Sequence, residues 1–198
     1  MHLFAENLAV ELSTYYRNLA LGHGVIPKVF TLVNGAGEQY LFFIDDLRMD
    51  KDEEDQFLAY IVQEHETVCY ARGTLVILDK SQQLIEFAVI DQDDTEAIVC
   101  SAQLTRDIDD KPVGLSDFEK TLAPKKTIFF SGLFEPIKLS EDKAEEFESL
   151  WDEMKPKILH RTMGIWLPIE KGLFSPHIGL CRCIWCPGRD SNPHNLTI

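Results

Sequence analysis

The sequence predicts an α+β fold: a single acidic domain over residues 1–160, with an antiparallel sheet of about five to six strands and three helices, followed by an irregular tail over residues 161–198. Three observations carry that prediction. Apolar residues recur at helical spacing in three separate stretches, β-branched and aromatic runs joined by short polar turns fill the space between them, and capping side chains stand where the second and third helices begin. At 198 residues, 45% hydrophobic and 26% charged, the chain is long enough to bury one sizeable core.

The first helix is predicted over residues 3–20, where Phe4, Leu8, Leu12, Tyr16 and Leu19 fall on one face, and "GHG" at 22–24 ends it. "PKVFTLVN" and "EQYLFFI" flank "GAG" at 35–37, the pattern of an antiparallel hairpin. Asp50 with Glu53 three residues on has the capping-box pattern and opens a helix that runs to about Glu66, with Phe57, Leu58, Ile61 and Val62 inward. From Thr67 the pattern turns to strands, "TVCYARGTLVIL", "LIEFAVI" and "EAIVCSAQL", with the turns "DKSQQ" and "DQDDT" between them. In the last strand both alternating sets are largely apolar, so it is expected to be covered on both sides, while the helices are expected on one face of the sheet. Residues 105–125 read as a surface excursion with one helical turn at "LSDFEK", and "KTIFFSGLF" as a further strand. Ser140 caps a third helix whose stripe is Phe147, Leu150, Trp151 and Met154, and Pro156 ends the regular pattern.

Charge narrows the function. Residues 161–198 hold four basic and two acidic residues, a net of +2, which leaves −16 on residues 1–160 out of the −14 total. A body so acidic repels phosphates, so neither direct nucleic-acid binding by the body nor attachment to anionic lipid is expected. With no long apolar run, no leader pattern at the N-terminus, and Cys69 and Cys100 set singly in apolar strands as buried thiols, the expectation is a cytoplasmic protein outside the membrane.

Chemistry is sparse. Phosphate loops, dinucleotide glycine fingerprints, nucleophile elbows and zinc-protease helices are all missing from the sequence, which counts against the common nucleotide enzymes and leans the expectation toward a non-enzyme with no cofactor. "EHE" at 64–66 followed by Cys69 offers a His65 and Cys69 nucleophile pair; the plainer reading places His65 at a helix C-terminus, where a cation is favoured. The run 43–55 carries seven acidic residues but lacks the ligand spacing of a calcium loop. Together with "SEDKAEEFESLWDEM" it suggests an interaction surface of Asp50, Asp52, Glu53, Glu54, Asp55, Glu141, Asp142, Glu145 and Glu146, facing an unidentified protein partner. The turns "DQDDTE" and "DIDD" could extend it, and in its sharpest form it mimics the phosphate track of DNA and occupies the basic groove of a nucleic-acid enzyme.

The tail holds a different signal. His177, Cys181, Cys183 and Cys186 supply four soft ligands within ten residues, the basis of the alternative reading as a zinc-binding regulator or metal-dependent enzyme. They form one cluster without the separated second pair of a zinc knuckle. Further on, Arg189-Asp190-Ser191-Asn192-Pro193 resembles the antisense translation of a transfer-RNA T arm: GATTCGAAC, the reverse complement of GTTCGAATC, reads Asp-Ser-Asn, and the adjoining stem usually extends this to Arg-Asp-Ser-Asn-Pro. On that resemblance the reading frame is expected to run into a tRNA gene, which sets it at the edge of a mobile element or after a frameshift that replaced the original C-terminus, with residues 161–198 as read-through or frameshifted sequence.

Residues 1–104 resemble a loose group of small uncharacterised bacterial proteins, in which an extended strand pair precedes a helix and a segment like "ETVCYARGTLVI" leads into a return strand like "EAIVCSAQL". The resemblance implies the fold and a bacterial or phage setting, and it brings no activity.

Overall fold

Asn34 organises the first turn of the sheet. Its side-chain oxygen accepts from the amides of Ala36 (3.1 Å) and Glu38 (2.8 Å), its carbonyl accepts from Gly37 (2.9 Å), and Gly37 takes φ +80°, a conformation that favours glycine. The predicted hairpin follows: β1 (Val29–Asn34) pairs antiparallel with β2 (Glu38–Phe43). The computed structural model describes residues 3–78 and 83–162; the expected tail, from residue 163 on, lies outside the described residues.

Three helices form where the periodicity placed them. Helix α1 (Leu3–Asn18) continues through a π-helical turn (Leu19–His23) and stops at Gly24, which is left-handed at φ +69°. Asp50 caps α2 (Lys51–Glu64) by accepting from the Glu53 amide at 3.0 Å, and Ser140 caps α3 (Glu141–Met154) by accepting from Lys143 at 3.3 Å. No helix among the described residues is long and apolar enough to cross a membrane.

The sheet is larger than predicted. After β1 and β2 come β3 (Thr67–Ile77), β4 (Gln83–Asp91), β5 (Glu96–Arg106), β6 (Pro112–Leu115), β7 (Glu119–Pro124) and β8 (Leu159–Thr162), eight strands instead of five to six, all antiparallel. Their order is β6-β5-β4-β3-β1-β2-β8, with β7 beside β6 on the same edge of β5. Leu104 pairs with Leu115 and Ser101 with Glu119, so β6 and β7 are one edge strand interrupted at Ser116–Phe118. There the Ser116 hydroxyl accepts from the Gln103 amide at 2.9 Å, and Phe118 turns in against Phe87 with ring centroids 5.5 Å apart. The "LSDFEK" stretch is thus strand, kink and strand, because each part finds a partner on β5. "KTIFFSGLF" forms two short 3-10 turns (Lys125–Thr127, Ser131–Phe134) where a strand was expected, and past Pro156 the chain regains order as β8.

Helices cover both faces of the sheet, not one. Leu8, Leu12 and Tyr16 of α1 pack with Val29, Val33, Cys69, Ala71, Ile85, Phe87, Val89, Ile98 and Cys100. On the opposite face Phe57, Leu58 and Ile61 of α2 and Phe147, Trp151 and Met154 of α3 pack with Phe30, Leu32, Phe42, Tyr70 and Ile90. Alternate residues of β1 belong to each layer, which is why its run of Val, Phe, Leu and Val is apolar throughout.

Candidate interaction surface on the α2 and α3 face

Arg72 is the charged residue within the otherwise apolar first half of β3, and it points toward α2. Its guanidinium meets the carboxylates of Glu54 and, at 2.9 Å, Asp55, with side chains of Arg72 and Glu54 each only 11% exposed. The same guanidinium lies 5.3 and 5.7 Å from the ring centroids of Phe129 and Phe130. Burial pushes the Glu54 carboxyl above its usual range, and Arg72 pulls it part of the way back. Residues 125–139 are bound to this face by Tyr70 Oη donating to the Phe130 carbonyl (2.8 Å) and Gln63 Nε2 donating to the Glu135 carbonyl (3.0 Å). Phe129 is left 70% exposed between two shallow clefts of about 300 and 280 Å³.

Lys143 joins the two helices. From α3 its ammonium reaches Glu53 of α2 and, at 3.0 Å, Glu146 one turn along, and it lies 4.8 Å over the Phe147 ring. The two carboxylates raise the pKa of Lys143 and keep it charged. Glu53 therefore serves α3 rather than reaching back to complete a capping box.

The nine residues of the predicted surface divide in two. Asp50 is a helix cap, Glu53 and Glu146 hold Lys143, and Glu54 and Asp55 hold Arg72. Asp52, Glu141, Asp142 and Glu145 are exposed and enter no ion pair among the described residues. Carboxylates of both helices also converge near Tyr60, whose hydroxyl is raised first by burial and then by Glu64, Glu148 and Asp152. The acidic turns act as turn formers: Asp91 accepts from the amide of Asp93, and Asp107 from those of Asp109 and Lys111. They stand at opposite ends of β5, about 33 Å apart at the rise of an extended strand.

His65 and Cys69 do not form a pair. Cys69 is fully buried under α1, where desolvation raises its thiol far above the ordinary value, and Cys100 on the same face is pushed up to about 11. His65 lies on the other side, its ring 4.6 Å from Tyr40 and 4.9 Å from Trp151. It does stand at the C-cap of α2, partly buried, and that burial lowers its pKa, which opposes the cation expected at a helix end. Among the described residues no group of three His, Cys, Asp or Glu is placed to hold a metal ion; the predicted ligands His177, Cys181, Cys183 and Cys186 lie outside the described residues.

Sequence reasoning missed Arg72, Lys143 and Phe129. Arg72 had a signal, since a charge inside an apolar strand demands a carboxylate from elsewhere in the fold. Phe129 had none, because an exposed aromatic reads like a strand residue. No protein-family model, no curated protein and no solved structure matches the chain.

Proposed function

We propose that this is a non-enzymatic interaction protein that binds the basic surface of a partner protein through α2 and α3. One observation supports the reading most: Asp52, Glu141, Asp142 and Glu145 stand uncompensated on two helices packed on one face of the sheet and fastened together by Lys143. Neutralising part of a helix pair in this way locks its geometry while leaving outward charge to attract a cationic surface over a Debye length of about 8 Å at physiological salt. Mimicry of DNA, as an inhibitor of a nucleic-acid enzyme, is the sharpest form of the proposal. The run Arg189–Pro193 supports a bacterial mobile element as the setting, and a tRNA gene overlapping codons 189–193 on the opposite strand is the expected genomic finding.

The test is capture of partners from the host lysate by the wild-type chain and by a variant with Asp52→Asn, Glu141→Gln, Asp142→Asn and Glu145→Gln. Basic partners that elute with salt and are lost from the variant are expected. An unchanged set with the variant overturns the proposal. A second reading, a zinc-binding regulator, rests on the Cys181, Cys183, Cys186 and His177 spacing; stoichiometric zinc retained by untagged protein after dialysis favours it over the first.

A further inference from the structure

Asp52, Asp55 and Gln56 lie one helical turn apart on α2 and line the larger of the two clefts, about 300 Å³, together with Phe129, Leu133 and Ile137. Carboxylates and apolar surface thus share one depression. Asp52 is exposed and enters no ion pair among the described residues, while Asp55 gives Oδ1 to Arg72 and keeps its side chain one-third exposed. Phe129 stands 70% exposed beside them, and two cations lie over its ring: Arg72 with Cζ 5.3 Å from the centroid and Lys51 with Nζ 5.2 Å from it. They differ in hold. Arg72 is fixed by Glu54 and Asp55, whereas Lys51 is exposed and its ammonium enters no ion pair among the described residues. The segment under the ring is itself fixed, because the Phe130 carbonyl accepts from Tyr70 Oη at 2.8 Å and the Ser131 amide donates to the Ile128 carbonyl at 3.1 Å.

We propose that this cleft receives an arginine side chain of the partner protein: its guanidinium takes the place of the Lys51 ammonium over Phe129 and meets Asp52, while its stem lies on Leu133 and Ile137. The inference rests on the reading of this face as a surface for a basic partner, and it names the residue type that the surface takes. Each part of an arginine finds its match. A guanidinium is planar, stacks on an aromatic face, accepts desolvation more readily than an ammonium, and offers paired N–H donors to a carboxylate. Its three-carbon stem buries against apolar surface while the head stays with the charges. A lysine meets the same carboxylates as a strongly hydrated point charge and gains less from the ring. An apolar side chain would fill the cleft but would take water from Asp52 and Asp55 without giving them a partner. Lys51 marks the position that the incoming cation occupies, since the ring already draws a positive group that is free to leave.

The experiment is an NMR titration of the full chain with three short peptides, Gly-Arg-Gly, Gly-Lys-Gly and Gly-Leu-Gly, each acetylated and amidated so that only the central side chain differs. The arginine peptide is expected to shift the amides of Gln56, Gly132 and Leu133 and to bind about fivefold more tightly than the lysine peptide, with the leucine peptide weaker still. Phe129→Leu keeps an apolar side chain but removes the π face, and it is expected to abolish the preference for arginine. Gly132 also lines the cleft, and an added Cβ there would meet nothing nearer than 3.8 Å, so Gly132→Leu is expected to narrow the cleft and weaken the arginine peptide without unfolding the chain. Equal affinity for the three peptides, no shift at the cleft amides, or a preference that survives Phe129→Leu overturns the proposal. Should a variant fail to fold, the comparison of the three peptides on the wild-type chain decides. Basic peptides that shift the α3 amides with no preference for arginine leave the acidic face standing and overturn the cleft. Arginine-selective shifts at the cleft, in a chain whose lysate partners ignore the four neutralised carboxylates, support the cleft and overturn the wider surface.

Discussion

Tyr16 of α1 lies so close over Gly73 of β3 that a Cβ at position 73 would stand 2.6 Å from the tyrosine hydroxyl oxygen and 2.6 Å from the Cβ of Phe87. The ring stacks on Phe87 at 5.9 Å, fully buried, in space that the bare strand leaves open. Gly73→Ala is therefore expected to lower stability by about 1–3 kcal/mol, the cost of overpacking a core, read as a drop in the urea midpoint. Gly35, whose added Cβ would meet nothing nearer than 3.8 Å, serves as the control.

Removing Arg72 strands Glu54. Arg72→Met is expected to lose about 3–5 kcal/mol, because a carboxylate stays in the apolar layer without its partner. The double variant Arg72→Met with Glu54→Gln is expected to recover much of that loss in the same urea titration. Equal loss in both variants would assign the stabilisation to packing of the arginine stem instead.

A pH profile of stability separates His65 from the carboxylates. The imidazole has a folded pKa below its ordinary 6.5, so the unfolded chain binds its proton more readily; the stability tied to this group is complete above about 6.5 and is lost as pH falls toward the folded value. Glu11 and Glu54, both raised above 4.5 by burial, work in the opposite sense and give up stability as pH rises through their folded values. The difference between the wild-type chain and His65→Phe isolates the histidine: it should be flat above pH 6.5 and should grow below it.

The four uncompensated carboxylates contribute little to the fold. Neutralising Asp52, Glu141, Asp142 and Glu145 one at a time is expected to change stability by within about 0.5 kcal/mol each, as for other surface substitutions. The thermal midpoint measures this, and a large loss would mean that they have structural partners.

Cys69 and Cys100 are expected to resist alkylation in the folded chain at neutral pH, since both are buried and held as thiols. Peptide mapping by mass spectrometry after brief iodoacetamide treatment, with and without urea, reads the outcome: label at either residue without urea counts against the packing described.

The three helices and first five strands were legible because their signals are local. Asp50 and Ser140 cap their helices from within three residues, and the hairpin turn at Asn34 closes on itself. What escaped takes its strand character from the edge it pairs with, close by in the chain for β6 and β7 and distant for β8. Pro112–Leu115 and Glu119–Pro124 become strands because β5 offers its edge, and Leu159–Thr162 because β2 does, so their own residues carry no strong period. Two-sided coverage was hinted at by the doubly apolar β5, but which helix took which face depended on the whole topology. Within the candidate surface, the sequence placed the acidic residues without revealing which of them Arg72 and Lys143 would neutralise.

The pairing of Gln39 with Arg161 brings together residues 122 positions apart in the chain. During synthesis the hairpin holding Gln39 can form early, but its outer edge has no cover until Arg161 has emerged, nearly the whole domain later. Such distant pairing is slow to find and comes late. Until Arg161 emerges the nascent domain thus carries an uncapped sheet edge, and the short strand that ends this exposure is the last of the described strands to be made.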